Sequence, residues 1–156
     1  MVGHFLLHRK MNLTKNFRLE ELLRSQSATR LGIDEQFSPP DTVRDNLILL
    51  CQNVLEPVRE IIEQPIHVSS GYRCPRLNEL IGGARGSQHC KGQAADIECN
   101  LSAEQLYQII KNSDIKYDQL IQEFGAWVHV SFSPFQQRGE RLRAIKVDGR
   151  VKYISD

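Results

Sequence analysis

A chain of 156 residues, 40% hydrophobic and 25% charged, has the composition of an ordinary soluble globular domain and the length of one domain with a real core. Its formal net charge of +1, with acids and bases interspersed, offers no basic face to nucleic acid and no charged patch to a membrane surface. No apolar run approaches the roughly 20 residues that span a bilayer.

The N-terminal stretch MVGHFLLHRK has too short an apolar core for a secretory signal, and its charges follow that core rather than precede it. Residues 1–11 are expected to be an extension, with one domain over 12–156. FRLEELLRS reads as a short helix, followed by a polar connection, ATRLGIDEQFSPPD. SPPDTVRDNLILLCQNVLEPVREIIEQ is the main predicted helix, with Ser38 as its cap and Pro39 at its first position. Val43, Leu47, Leu50, Val54, Val58 and Ile61 step by three or four and predict one buried stripe. Pro57 should kink that helix, because its ring clashes with the preceding turn.

PIHVSS predicts a strand, GYRCPRLN a loop, RLNELI a helical turn, and GGARGSQHCKGQ a glycine-rich loop. AADIECN is a predicted strand and LSAEQLYQIIKNS an amphipathic helix opened by Ser102. Strands follow in YDQLIQEF, AWVHVSF and LRAIKVDGRVKYI, the last folded back at Asp148-Gly149, a type I′ hairpin pair. Helices first and then mainly antiparallel strands predict an α+β fold with helices packed on one face of the sheet. The four cysteines form no C-x-x-C pair, so reduced thiols are expected.

Chemistry concentrates in SQHCKGQAADIE. Six residues separate His89 from Asp96, with Gly92 able to reverse the chain between them and Ala94 and Ala95 leaving room for an ion. The same pair also suits a histidine–carboxylate hydrogen bond that fixes a loop. His129, in WVHVSF, is a possible third ligand from an adjacent strand. His67 reads as a solvent-facing strand residue, and His4 and His8 as residues of a loose terminus. Cys90 invites a cysteine-nucleophile reading, but neighbouring residues on an extended chain point to opposite faces, so His89 is badly placed to activate it.

Ser87, His89, Gly92, Ala94 and Asp96 fill the pattern S-x-H-x-x-G-x-A-x-D. This resembles the first metal motif of the zinc D-alanyl-D-alanine carboxypeptidase family, which includes phage endolysins and shares its fold with hedgehog-type domains. SSGYRCPRLN resembles the family's arginine-bearing segment, and DQLIQEFGAWVHVS its segment with the catalytic glutamate and last histidine ligand. NLTKNFRLEELLRSQSATRLGI resembles the N-terminal part of one branch.

The resemblance implies one Zn²⁺ per chain held by His89, Asp96 and His129, with a fourth position open for water. It implies Glu123 as general base and Arg73 as the donor to the oxyanion. Ser87, Gln88 and Trp127 would border the substrate. Asp118 and Glu98 are competing carboxylates, the first too early in its strand for catalysis, the second a possible partner of the ligands. The implied activity is zinc-dependent hydrolysis of peptidoglycan peptides containing D-amino acids, by carboxypeptidase or endopeptidase cleavage. A monomer of phage or prophage type is expected, made in the cytoplasm and acting on the wall after release or within a virion. The alternative is a non-catalytic, zinc-stabilised peptidoglycan-binding or virion structural domain. Arg73 and Glu123 favour the enzyme.

Overall fold

A computed structural model describes residues 11–156. The expected extension, with His4 and His8, lies outside the described residues except for Met11. That residue belongs to the folded body: its carbonyl accepts from the Leu19 amide at 2.8 Å, and its side chain packs against the core.

Short helices come first: α1 (Leu19–Leu23), α2 (Gln26–Leu31), α3 (Asp41–Leu50) and α4 (Glu56–Ile62). Helix α2 occupies part of the stretch expected to be a polar connection. Ser25 caps it by accepting from the Ala28 amide, and Gly32, at φ 68°, ends it. The main predicted helix is realised as α3 and α4 joined by a π-helical turn over Cys51–Leu55. Pro57 explains the turn, since it lacks the N–H an α-helix needs there, and a widened turn absorbs the ring without a break. Ser38 is not the cap; Pro40 precedes the first helical residue and no side chain caps it.

The π turn adds to the period, so the buried stripe changes register beyond it. Leu55 and Val58 are fully buried and Ile62 packs on the core, whereas Ile61 is half exposed. The expectation that Ile61 continues the stripe fails for that reason.

Six strands form one sheet: β1 (His67–Ser70), β2 (Ala94–Glu98), β3 (Gln119–Glu123), β4 (Trp127–Ser131), β5 (Glu140–Val147) and β6 (Arg150–Ser155), in the order β1-β2-β4-β3-β5-β6. All neighbours are antiparallel except β3 and β5, which run parallel. Helices α5 (Pro75–Leu80) and α6 (Ala103–Lys111) complete the fold. Ser102 opens α6 as the sequence predicts, and with Gln105 it forms a capping box. Asp148 and Gly149 both take positive φ in the β5–β6 turn.

Side chains alternate across the sheet, and this alternation builds the site. Ala95, Ile97, Leu120, Val128 and Val130 enter the helix-covered core. Their neighbours Asp96, Ile121, Glu123 and His129 therefore project from the opposite face. Asp96 pairs with His129, and His129 with Ile121, in one cross-strand row.

Candidate metal centre

The turn that carries His89 is a 3-10 turn over Gln88–Lys91, with Ser87 Oγ accepting from the His89 amide at 3.2 Å. Gly92 reverses the chain at φ 71°, where a Cβ would also lie 2.6 Å from the carbonyl oxygen of Val43 on α3. Only glycine meets both demands. Behind the imidazole, His89 Nδ1 lies 2.7 Å from the carbonyl oxygen of Gly71. That bond makes Nδ1 the donor and leaves the Nε2 lone pair free to face the cleft. Gly71 is itself wedged against α1: a Cβ on it would meet the Leu22 oxygen at 2.4 Å.

His89 Nε2 stands 3.5 Å and His129 Nδ1 3.0 Å from Asp96 Oδ1, and the three potential ligand atoms lie within 4.8 Å of one another. Bonds of ~2.0–2.1 Å in a tetrahedral zinc site put ligand atoms ~3.3 Å apart, so the trio fits the ion after small adjustments. Burial pushes the His129 imidazole below its ordinary value, against the pull of Asp96, which favours the neutral, metal-binding form. Burial would raise Asp96, but hydrogen bonds and charge from His129 and His89 outweigh it and hold the carboxyl well below the usual carboxylate range. Zinc binding needs deprotonated ligands of this kind.

Around the trio lies a cleft of about 730 Å³. Glu123 lies in it, two residues beyond Ile121 on β3, at the start of the tight turn through Phe124 and Gly125. Burial first, and then the Asp96 charge, push its carboxyl up to about 7, while His89 pulls the other way. Arg73 borders the same cleft; its amide donates to the His89 carbonyl at 3.1 Å, and its buried Nε has no partner among the described residues. Trp127 pairs with Glu123 across the β-turn and packs edge-on against Phe124 at 5.9 Å. Its half-buried ring lines the cleft.

Ser87 and Gln88 reach the cleft as well, but both have structural bonds. Gln88 Nε2 donates to Asp118 Oδ2 at 2.8 Å. Buried Asp118 does not approach the trio. Arg138 grips it through its backbone amide, Nε and Nη2, and these bonds pin the loop that carries the chain from β4 over to β5. Glu98 is exposed, opposite His67 on β1, and takes no part in the cleft. Cys90 is half-buried, and its thiol is pushed up chiefly by burial, against the pull of Arg73, which leaves it protonated and a poor nucleophile.

Two contributors escape sequence reasoning. Gln36 is fully buried, and its amide donates to the carbonyls of Leu23 and Tyr72 and accepts from the Cys74 amide, gripping the chain on both sides of Arg73. The C-terminal hairpin, silent in the sequence, supplies Leu142, Val151 and Tyr153 to the cleft. A groove of about 810 Å³ beside Pro57 and Ile115 is larger, yet among the described residues it holds no cluster of metal-ligating groups.

No helix of the described residues is long and apolar enough to cross a membrane. No curated protein matches the chain. The family Peptidase M15 matches residues 15–131, a span that takes in Arg73, all three members of the His–Asp–His trio and Glu123, and the chain therefore belongs to the Peptidase M15 family.

Proposed function

We propose that the chain is a zinc-dependent peptidase that hydrolyses bacterial peptidoglycan peptides containing D-amino acids, as a D-Ala-D-Ala carboxypeptidase or a stem-peptide endopeptidase. One observation carries this reading. Glu123, with a carboxyl pushed up to about 7, shares a cleft with the His89–Asp96–His129 trio and feels the charges of two of its members. A structural zinc site needs no base beside its ligands, and structural sites close their fourth position with another protein ligand. Here the described residues offer three.

His89 Nε2, Asp96 Oδ1 and His129 Nδ1 would hold the ion. When bound, it supplies a Lewis acid for the scissile carbonyl and lowers the pKa of water toward ~7. Glu123 takes one proton from the attacking water as its oxygen bonds to the carbonyl carbon. Arg73 hydrogen-bonds the oxyanion that develops. As the C–N bond breaks, Glu123 returns the proton to the leaving amine. Trp127, Ser87 and Gln88 border the peptide on the cleft walls.

The test uses purified peptidoglycan and mass spectrometry of the released fragments. The wild-type chain loaded with zinc should release D-alanine, if it is a carboxypeptidase, or peptide fragments, if it is an endopeptidase, and the new ends identify the bond cut. Glu123→Ala should keep one zinc per chain and lose about 10²–10⁴-fold in rate. No release by the wild type would instead support the non-catalytic wall-binding alternative.

A further inference from the structure

The cleft has a wall made by strands that lie beyond the residues matching the family. In the sheet register Trp127 pairs with Glu123, Glu123 with Ala144, and Ala144 with Tyr153, so four strands form one continuous cross-strand row. Residues paired in this way share a face, and this face carries the His–Asp–His trio. Ala144, with only a methyl group, is all that stands between Glu123 and the tyrosine, leaving the phenol ring room to lean over it. Tyr153 lines the same cleft as Glu123 and Asp96, and a phenol is a hydrogen-bond donor at neutral pH. No described residue hydrogen-bonds that hydroxyl, and the side chain, about half exposed like its neighbours on β6, lies on the cleft side of the strand. Leu142, in the His129 row, and Val151, two residues from Tyr153, add an apolar surface beside it.

An unpartnered donor on a ring, beside the candidate base and flanked by aliphatic side chains, suits a peptide. Its amide can take the hydrogen bond, and its small apolar side chains, such as alanine methyls, can lie on the wall. We propose that β6 is a wall of the substrate cleft and that Tyr153 is a substrate-binding residue, its hydroxyl donating to a peptide carbonyl held beside Glu123. This rests on the peptidase reading given above. The wall comes from the hairpin, so specificity on this side of the cleft is set by the C-terminal 16 or so residues of this chain rather than by the motif-bearing part.

The experiment compares zinc-loaded full-length wild type, Tyr153→Phe and Tyr153→Ala on soluble muropeptides. KM and kcat are measured, and Kd is measured for the same substitutions in a Glu123→Ala background that binds without cutting. Tyr153→Phe should raise KM and Kd about three- to tenfold with kcat within about twofold. Tyr153→Ala, which also removes the ring, should raise them about tenfold or more. Zinc content and melting temperature should stay those of the parent, because the residue sits on an exposed edge strand. KM and Kd within about twofold of the parent for both variants would overturn the proposal, as would a fall in kcat alone. Loss with alanine but not with phenylalanine would keep the wall and overturn the hydrogen bond. Failure of the peptidase reading looks different: the wild type cuts nothing, while binding in the Glu123→Ala background still reports on Tyr153. If that background binds no muropeptide either, the wall falls with the activity.

Discussion

Glu123 is the base of the proposed reaction, and its environment sets a sign that can be measured without substrate. In the metal-free chain its carboxyl is pushed up to about 7, against ~4.3 for an unperturbed glutamate. The folded state then holds that proton more tightly than the unfolded chain does. The stabilisation is complete below about pH 4.3 and is lost as pH rises through about 7. Asp96 acts in a different window: its carboxyl is held below the usual range, so its contribution is present above ~3.9 and lost only in stronger acid. Glu123→Gln, which cannot ionise, should therefore gain stability relative to the wild type on going from pH 5 to pH 8. Urea denaturation of both proteins at the two pH values, with chelator present, measures the difference. A gap that does not change with pH would mean that the glutamate is not held in this environment. Cys90 gives a second contrast, since a protonated, half-buried thiol outside the trio has no part in the chemistry. Thiol alkylation should spare hydrolysis while chelation abolishes it, and the opposite pattern in a fragment-release assay would return the cysteine to the mechanism.

At the level of elements, the sequence announces those parts whose residues obey a local rule. Strand β2, the Ser102 start of α6 and the Asp148-Gly149 turn follow from alternation, capping and positive-φ chemistry. The convergence of His89 on Asp96 is legible from the glycine between them; His129 is legible only as a candidate on a neighbouring strand, and the resemblance singles it out. What stayed hidden depends on distant partners. The π turn was suggested by Pro57 only as an interruption, and the resulting register change exposes Ile61. The parallel β3–β5 pair depends on a loop held by Asp118 and Arg138, and no periodicity predicts that contact. Gln36 is the sharpest case, a polar residue in a polar stretch that becomes fully buried and joins α1 to the segment bearing Arg73. Gln36→Leu leaves two carbonyls and one amide in the interior without partners, at a cost of about 1–3 kcal/mol for each group that water cannot reach. The variant should melt below the wild type and lose kcat beyond what lost folding explains, because the segment bearing Arg73 loses its side-chain anchors at Tyr72 and Cys74. Equal kcat per folded molecule would show that the loop holds itself.

The whole molecule is asymmetric about its sheet: one face closes over a hydrophobic core, and the other gathers a carboxylate, two imidazoles and a second carboxyl in one cleft. The ligands come from the turn before β2, from β2 itself and from β4, so an ion held by them joins segments some forty residues apart in sequence. An ion that binds the folded chain and not the unfolded one stabilises by mass action, about 2.7 kcal/mol at a free concentration one hundred times Kd. For a chain of this size that is a rise in melting temperature of about 5–10 °C. Zinc should therefore raise the melting temperature, and a chelator should restore the lower value. Asp96→Asn should remove the response while leaving a folded protein, since it keeps the side-chain shape and discards the charge. The response must also shrink as pH falls, because zinc and protons compete for the same atoms. That competition begins below the ordinary histidine range at His129, where burial already disfavours the proton. Melting temperature against zinc concentration at several pH values tests all of this in one series. An unchanged melting temperature in the wild type, or an equal shift in Asp96→Asn, would mean that the trio is a hydrogen-bonded cluster rather than a metal site.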